Sequence, residues 1–175
     1  SNNSPDSLKR LIIRLYPDFY KKGVSRSGSL FAISEKDLND GVSIDALNIN
    51  GETITDLNNP KKAFHAGTNL IVLPQKAVLP HSTIKLTVKW HYTVNTGSQV
   101  RTGMVDSGSY FIAYFFPRLA VYDDIDGWDD WSYNGSQEFY NDFGNFDVQL
   151  KVPAEYVVWA TGERKNEATN FSSNV

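Results

Sequence analysis

Apolar residues alternate with polar ones in two segments, and this period of two is the strongest constraint on the fold. In 84–92 every second residue is apolar: Ile84, Leu86, Val88, Trp90 and Tyr92. The same alternation occurs in 146–152, before Pro153: Phe146, Val148, Leu150 and Val152. Because successive side chains of a strand point to opposite faces of a sheet, both segments are predicted to be strands with one buried face.

Other short segments extend this prediction to an all-β chain. Six further strands are expected between turn residues such as Asn50-Gly51: 8–16, 42–49, 69–73, 109–116, 119–122 and 155–161. Helical signals are short, with a capping pattern at Ser34–Asp37 and a second candidate at 136–142. Eight alternating strands with little helix favour an antiparallel β-sandwich. No repeat or linker divides 1–175, so a single domain is predicted.

Charge and cysteine content exclude several classes of function. The sequence has 17 basic and 20 acidic residues, for a net charge of -3, so nucleic acid is not expected as a partner. It contains no cysteine, which excludes disulfides and thiol chemistry and leaves the compartment undefined. The polar start and the charge-interrupted apolar residues after it predict neither a targeting nor a membrane segment.

Histidine is too scarce to suggest a metal centre in this chain. The three histidines are His65, His81 and His91, and none belongs to an H-E-x-x-H motif. His91 lies on the polar side of the strand predicted at 84–92, so we expect it to face solvent. No metal ligand is therefore predicted in this chain.

The stretch 119–150 combines many carboxylates with many aromatic rings. It contains no Lys or Arg and has eight acidic residues: Asp123, Asp124, Asp126, Asp129, Asp130, Glu138, Asp142 and Asp147. A solvated loop whose rings form a small core is the favoured interpretation. A looser calcium site, a glycosidase acid pair among the aspartates, and a carbohydrate- or partner-binding surface at 122–146 that uses Trp128 are the alternatives.

Three segments within 109–163 carry a resemblance to a known family. They read SYFIAYFFPRLAVYDDIDGW, EFYNDFGNFDVQLKVP and YVVWATGE. Together they resemble the second half of the N-terminal β-domain of bacterial zinc aminopeptidases of the aminopeptidase N family. The earlier segment NNSPDSLKRLIIRLYPDFYKKGVSR is also similar to this domain, without the strands that precede it in the family. The resemblance implies a saddle-like β-sandwich, truncated at its N-terminal side, with an exposed sheet edge near 8–16.

The resemblance also implies a function, which belongs to a larger parent protein. The chain would be a noncatalytic domain that walls the substrate cleft of a parent hydrolysing N-terminal residues from peptides. Zinc and the H-E-x-x-H motif would lie in a catalytic domain of the same polypeptide that is absent here, so the chain alone is not expected to be an enzyme. Its partners would be that domain and the peptide substrate.

The same resemblance supplies the candidate site residues. In the family, a Gln or Glu before the Phe-Pro element holds the free amino group of the substrate. Tyr114 occupies this position here, beside Phe115, and both are expected to face the substrate cleft of the parent. A phenol does not accept from an ammonium group as a carboxylate does, so amine recognition would differ. Four residues are expected to order the nearby turn: Arg118, Asp123, Asp124 and Gly127.

Overall fold

The fold is all-β, as predicted, and is built from short antiparallel strands. The computed structural model describes residues 1–98 and 101–165. In chain order the strands are β1 Leu11–Arg14, β2 Ser43–Ile49, β3 Glu52–Thr53, β4 Ala63–Ala66, β5 Asn69–Val72, β6 Leu86–His91, β7 Thr102–Asp106, β8 Ser109–Ile112, β9 Arg118–Leu119, β10 Tyr122–Asp123 and β11 Gly127–Trp128. In those described ranges the helices are two 3₁₀ turns, Tyr16–Tyr20 and Glu35–Asp37.

The chain divides into two compact units. The first is Ser1–Asp142 and the second is Phe143–Val175, of which 143–165 are described. Every strand listed above lies in the first unit. The second unit, over its described residues, consists of irregular chain and turns.

Strand β1 lies in the interior of a four-stranded sheet with the order β4-β5-β1-β9. It pairs along its whole length with β5, and Ile13 and Arg14 pair with β9 on its other side. The apolar residues of β1 are all at most 1 % exposed, as expected for a strand inside a sheet. The prediction of an exposed edge near 8–16 is therefore wrong, because β5 and β9 supply partners on both sides.

A three-stranded sheet, β3-β2-β6, contains the clearest predicted strand. Side chains of β6 alternate between half-buried and exposed, and exposed His91 is on the polar side, so both predictions for 84–92 are confirmed. Asn50 and Gly51 join β2 to β3 with φ of 51° and 93°. Two successive positive φ values are the signature of a tight hairpin turn whose twist matches that of the strands.

Both of these sheets contribute to one hydrophobic core. The four-stranded sheet supplies buried side chains from β1 and β5, and the three-stranded sheet supplies Leu47 and Ile49 from β2. The inward residues of β6, Leu86, Val88 and Trp90, pack against the same core. Trp128 of β11 also belongs to it and is only 8 % exposed.

The structure departs from three local predictions. Residues 146–152 and 155–161 form no strand, and 136–142 forms no helix. The alternating pattern of 146–152 is present, but its backbone lacks the neighbouring strand that a ladder needs: 147–152 make no backbone–backbone hydrogen bond to another described residue. Four strands were not predicted: β3, β4, β7 and β11.

Candidate functional site

Six aromatic rings meet in a second hydrophobic cluster, which we call the aromatic cluster: Tyr16, Phe19, Tyr20, Tyr114, Tyr133 and Phe139. The 3₁₀ turn Tyr16–Tyr20 supplies three of the rings from one short segment. Phe139 stacks on Tyr114 and Tyr133, with ring centroids 3.6 and 4.8 Å away. Offset and edge-on ring pairs of this kind add to the energy of simple apolar burial.

A cavity of about 230 Å³ opens beside this cluster. Its walls include both apolar and polar side chains: Phe31, Arg101, Tyr133, Gln137, Glu138 and Phe139. Gly135 also lines it, with φ of 85°, and a Cβ at this position would lie 2.8 Å from Phe19 Cζ. A glycine is therefore required where the loop passes this close to the ring.

The charged side chains of Arg101 and Glu138 lie at the rim of the cavity. The guanidinium carbon of Arg101 lies 5.8 Å from the ring centroids of both Tyr114 and Phe139. Its Nη2 is 3.6 Å from Glu138 Oε2, and both side chains are largely exposed. An exposed pair at this distance contributes little to stability, so both charges are available to a polar ligand.

Two phenol groups of the aromatic cluster have no hydrogen-bond partner among the described residues. They are the buried hydroxyls of Tyr114 and Tyr133. Burial raises the pKa of both, and Arg101 only partly opposes this shift. Each phenol is therefore neutral near pH 7 and keeps a proton that it can donate.

The structure places both candidate site residues next to β8 in a half-buried segment. Tyr114 adopts a positive φ of 55°, and its ring lies in the aromatic cluster. The carbonyl of Phe115 accepts a hydrogen bond of 3.0 Å from Trp90 Nε1, which fastens this segment to β6. No peptide is present, so the contact of Tyr114 and Phe115 with a substrate stays a prediction.

Three acidic residues of 122–131 make structural contacts: Asp123, Asp129 and Asp130. Asp123 Oδ1 accepts the backbone N–H groups of Ile125 and Asp126 at 3.0 and 2.8 Å, which lowers the pKa of this carboxyl. Gly127 follows with φ of 74° and completes the β10–β11 hairpin. The prediction that Asp123 and Gly127 order this turn is confirmed.

Two further aspartates fasten the same segment to β1 and its flank. Asp129 pairs with Arg14, whose guanidinium also donates to the carbonyl of Trp131 and to Asn69 Oδ1. Asp130 pairs with Arg10 at 3.1 Å on the surface. These two ion pairs, together with the other bonds from Arg14, hold the acidic segment against β1 and the residue that precedes it.

Nothing in the described part of the chain groups three or more His, Asp or Glu side chains as a set of metal ligands. His65 lies in β4 with a buried Nδ1, and burial together with Lys21 lowers its pKa. His91 Nδ1 is 2.9 Å from Asp45 Oδ1, and exposed His81 occupies a turn with φ of 55°.

Sequence patterns indicate only some residues of the aromatic cluster and the cavity. Tyr133 and Phe139 lie in the aromatic-rich stretch 119–150, whereas Tyr16 and Arg101 lie outside it and belong to no pattern that marks them as part of a site. Trp128, the ring assigned to a possible binding surface, is buried in the main core.

Comparison with known proteins finds no matching family model, no similar curated protein and no similar solved structure. Within residues 1–98 and 101–165, no helix has the length and apolar character needed to cross a bilayer.

Proposed function

We propose that this chain is a noncatalytic β-sandwich domain of a zinc aminopeptidase-like protein. In this proposal it walls the substrate cleft of a parent that hydrolyses N-terminal residues from peptides. The resemblance of 109–163 to the N-terminal β-domain of that family motivates the proposal. The observation that carries it is the β7–β8 hairpin, which presents an apolar surface at the start of the same region.

The hairpin exposes large apolar side chains of the kind that are usually buried against another domain or chain. All four residues of β8 are exposed, and Phe111 is 61 % exposed. Tyr110 and Ile112, on the other face of the strand, are 41 % and 51 % exposed. A two-stranded ribbon is marginal by itself in water, so burial of this surface against another domain would stabilise it.

The sandwich part of the proposal is supported by the shared core. Side chains of β1 and β5 from one sheet and of β2 and β6 from another meet in one apolar cluster. Two sheets that bury their apolar faces against each other in this way are the basis of a sandwich.

Zinc chemistry is assigned to the proposed catalytic domain, because the described residues of this chain form no group of three or more potential metal ligands. Its three histidines lie in separate elements: His65 in β4, His91 in β6 and His81 in a turn. Asp129 and Asp130 are paired with arginines. The role left for this domain is to shape the cleft and exclude water, with Tyr114 and Phe115 as the proposed substrate-facing residues.

The complete gene provides the first test. We expect the reading frame to encode an H-E-x-x-H motif and a more distant zinc-binding Glu beyond this segment. A complete reading frame without them would refute the peptidase assignment.

The parent polypeptide provides the second test, with two matched surface changes. Phe111→Ser is expected to reduce kcat/KM for an aminoacyl reporter by about tenfold, because burying one Phe is worth about 1.5–3 kcal/mol. Leu79→Ser changes a side chain that is 59 % exposed but lies outside the hairpin, and we expect it to leave kcat/KM within about twofold. Equal effects of the two changes would contradict docking through β8.

The cavity beside the aromatic cluster favours a second candidate function, recognition of a carbohydrate. It combines the ring of Phe139 with the polar groups of Gln137 and Glu138, the combination that a sugar face and its hydroxyls need. Calorimetry with a panel of monosaccharides is the test, and Phe139→Ala is expected to abolish binding while Trp131→Ala, at an exposed ring outside the cavity, preserves it. No heat of binding with any sugar would refute this candidate.

A further inference from the structure

The segment 146–152, FDVQLKV, has the sequence of a strand but lies outside every sheet. Its apolar side chains are open to solvent: Phe146 is 62 %, Val148 58 %, Leu150 47 % and Val152 45 % exposed. The polar residues between them, Asp147, Gln149 and Lys151, are exposed as well. Val148, Leu150 and Val152 on one face and the polar residues on the other are thus both accessible to a partner.

The backbone and the charges of this segment are equally available. Residues 147–152 make no backbone–backbone hydrogen bond to another described residue. Within the described ranges, neither Asp147 nor Lys151 forms an ion pair. Unpaired N–H and C=O groups along a β-prone segment are a template for pairing with another strand.

We propose that 146–152 pairs with the same segment of a second copy of this chain, antiparallel and about a twofold axis at Gln149. A twofold interface requires a surface that is complementary to itself, because each copy presents the same residues. This segment meets that requirement in both its charges and its apolar positions. The inference does not rest on the proposed aminopeptidase function.

The charges select one register. When Gln149 lies opposite itself, Asp147 of each copy lies opposite Lys151 of the other, which gives two opposite-charge pairs. The same register puts Val148 opposite Leu150 on the other face. A shift of one residue would set apolar positions against polar ones, and a shift of two would separate Asp147 from Lys151.

The limited length of the segment sets the strength of the dimer. Seven residues a side are far fewer than the roughly 20–30 residues a side of a standard stable interface. The dimer is therefore transient and depends on concentration, and Pro153 ends the ladder because it has no N–H to donate.

Cysteine trapping tests the register directly, since the chain has no cysteine of its own. In Gln149→Cys, the two introduced thiols lie opposite each other at a Cα separation of about 4.5–5.5 Å, within the range of a disulfide. In the control Asp147→Cys, the two thiols are offset by four residues, roughly 14 Å along the strands. We expect oxidation of the full chain to give at least about tenfold more crosslinked dimer for Gln149→Cys than for the control.

Charge exchange tests the pairing without crosslinks. Asp147→Lys and Lys151→Asp each place two like-charge pairs across the dimer, and we expect each to raise the dimer dissociation constant about tenfold in sedimentation equilibrium at low salt. Mixing the two variants restores opposite charges at both positions, so heterodimers should form with about the affinity of the unchanged chain. Rescue on mixing is a result that loss of folding does not produce.

Either of two results overturns the proposal. One is equal crosslinking of Gln149→Cys and Asp147→Cys, which would mean that contact between copies is random or lies elsewhere. The other is a dimer whose dissociation constant is the same in the unchanged chain, in each charge variant and in their mixture.

Discussion

Arg14 provides the sharpest test of how the acidic segment is held. Its side chain is 5 % exposed, and it donates to Asp129, to the carbonyl of Trp131 and to Asn69. The carboxylate of Asp129 is itself only 19 % exposed. Replacing Arg14 by Met keeps much of its apolar stem but leaves a largely buried carboxylate without its cation.

The expected cost follows from this burial. Removing one partner of a buried ion pair costs about 3–5 kcal/mol, and the residual exposure of Asp129 places this pair at the lower end, about 3 kcal/mol. For a chain of this length, that loss lowers Tm by about 6–12 °C. Arg10 and Asp130 form a natural control pair, because their side chains are 48 % and 43 % exposed. Arg10→Met should therefore cost about 0–1 kcal/mol.

Urea unfolding followed by tryptophan fluorescence measures both changes. A double-mutant cycle with Asp129→Asn isolates the Arg14 pair, and one with Asp130→Asn isolates the Arg10 pair. We expect coupling above about 1.5 kcal/mol for the first pair and below about 0.5 kcal/mol for the second. Arg14→Met and Arg10→Met variants of equal stability would refute the argument that burial makes the first pair structural.

Three further predictions concern the core, the pH dependence of stability and zinc. Leu47 is fully buried, so Leu47→Ala should cost about 2–5 kcal/mol in urea unfolding, whereas Leu79→Ala at the surface should cost under about 0.5 kcal/mol; similar costs would contradict the assigned core. Burial raises the pKa of the Asp18 carboxyl, so its contribution to stability is complete below the usual carboxyl pKa and is lost as pH rises through the folded-state pKa. Asp18→Asn keeps an acceptor for the Val42 N–H, and it should make the urea midpoint less dependent on pH between the usual carboxyl pKa and the folded-state pKa of Asp18. The same pH profile in the variant and in the unchanged chain would contradict this prediction. Metal analysis of the chain should find no stoichiometric zinc, and an aminoacyl reporter should stay uncleaved. One tightly held zinc per chain would contradict the assignment of zinc to another domain.

The sequence predicted elements whose signal is local. The alternation of 84–92 predicts β6, and Asn50-Gly51 predicts the turn between β2 and β3, because each depends only on adjacent residues. The interior position of β1 is different, since it depends on β5 and β9 more than 50 residues away. A pattern within 8–16 predicts a strand but carries no information on how many neighbours that strand has.

The site was predictable only in part for the same reason. Asp123 and Gly127 pair across the β10–β11 hairpin, and their role in this turn was expected from the resemblance of the segment to the aminopeptidase N family. The cavity needs Arg101 beside Phe139, and the aromatic cluster needs Tyr16 beside Tyr133. No spacing rule connects such distant positions, and only the folded chain brings them together.

The exposed apolar surfaces of the β7–β8 hairpin and of 146–152 have one physical cause. A strand is stable when it has neighbours for its backbone and cover for its apolar face, and independent stability takes about three strands or a packed face. Strands β1 and β2 meet both conditions, because they lie inside sheets and share a core. The hairpin β7–β8 has backbone pairing but exposes its apolar face. Residues 147–152 have no backbone pairing to another described residue, and their apolar side chains are exposed. These unmet conditions are the physical basis of both proposals: an apolar surface as the partner of the hairpin, and a strand as the partner of 146–152.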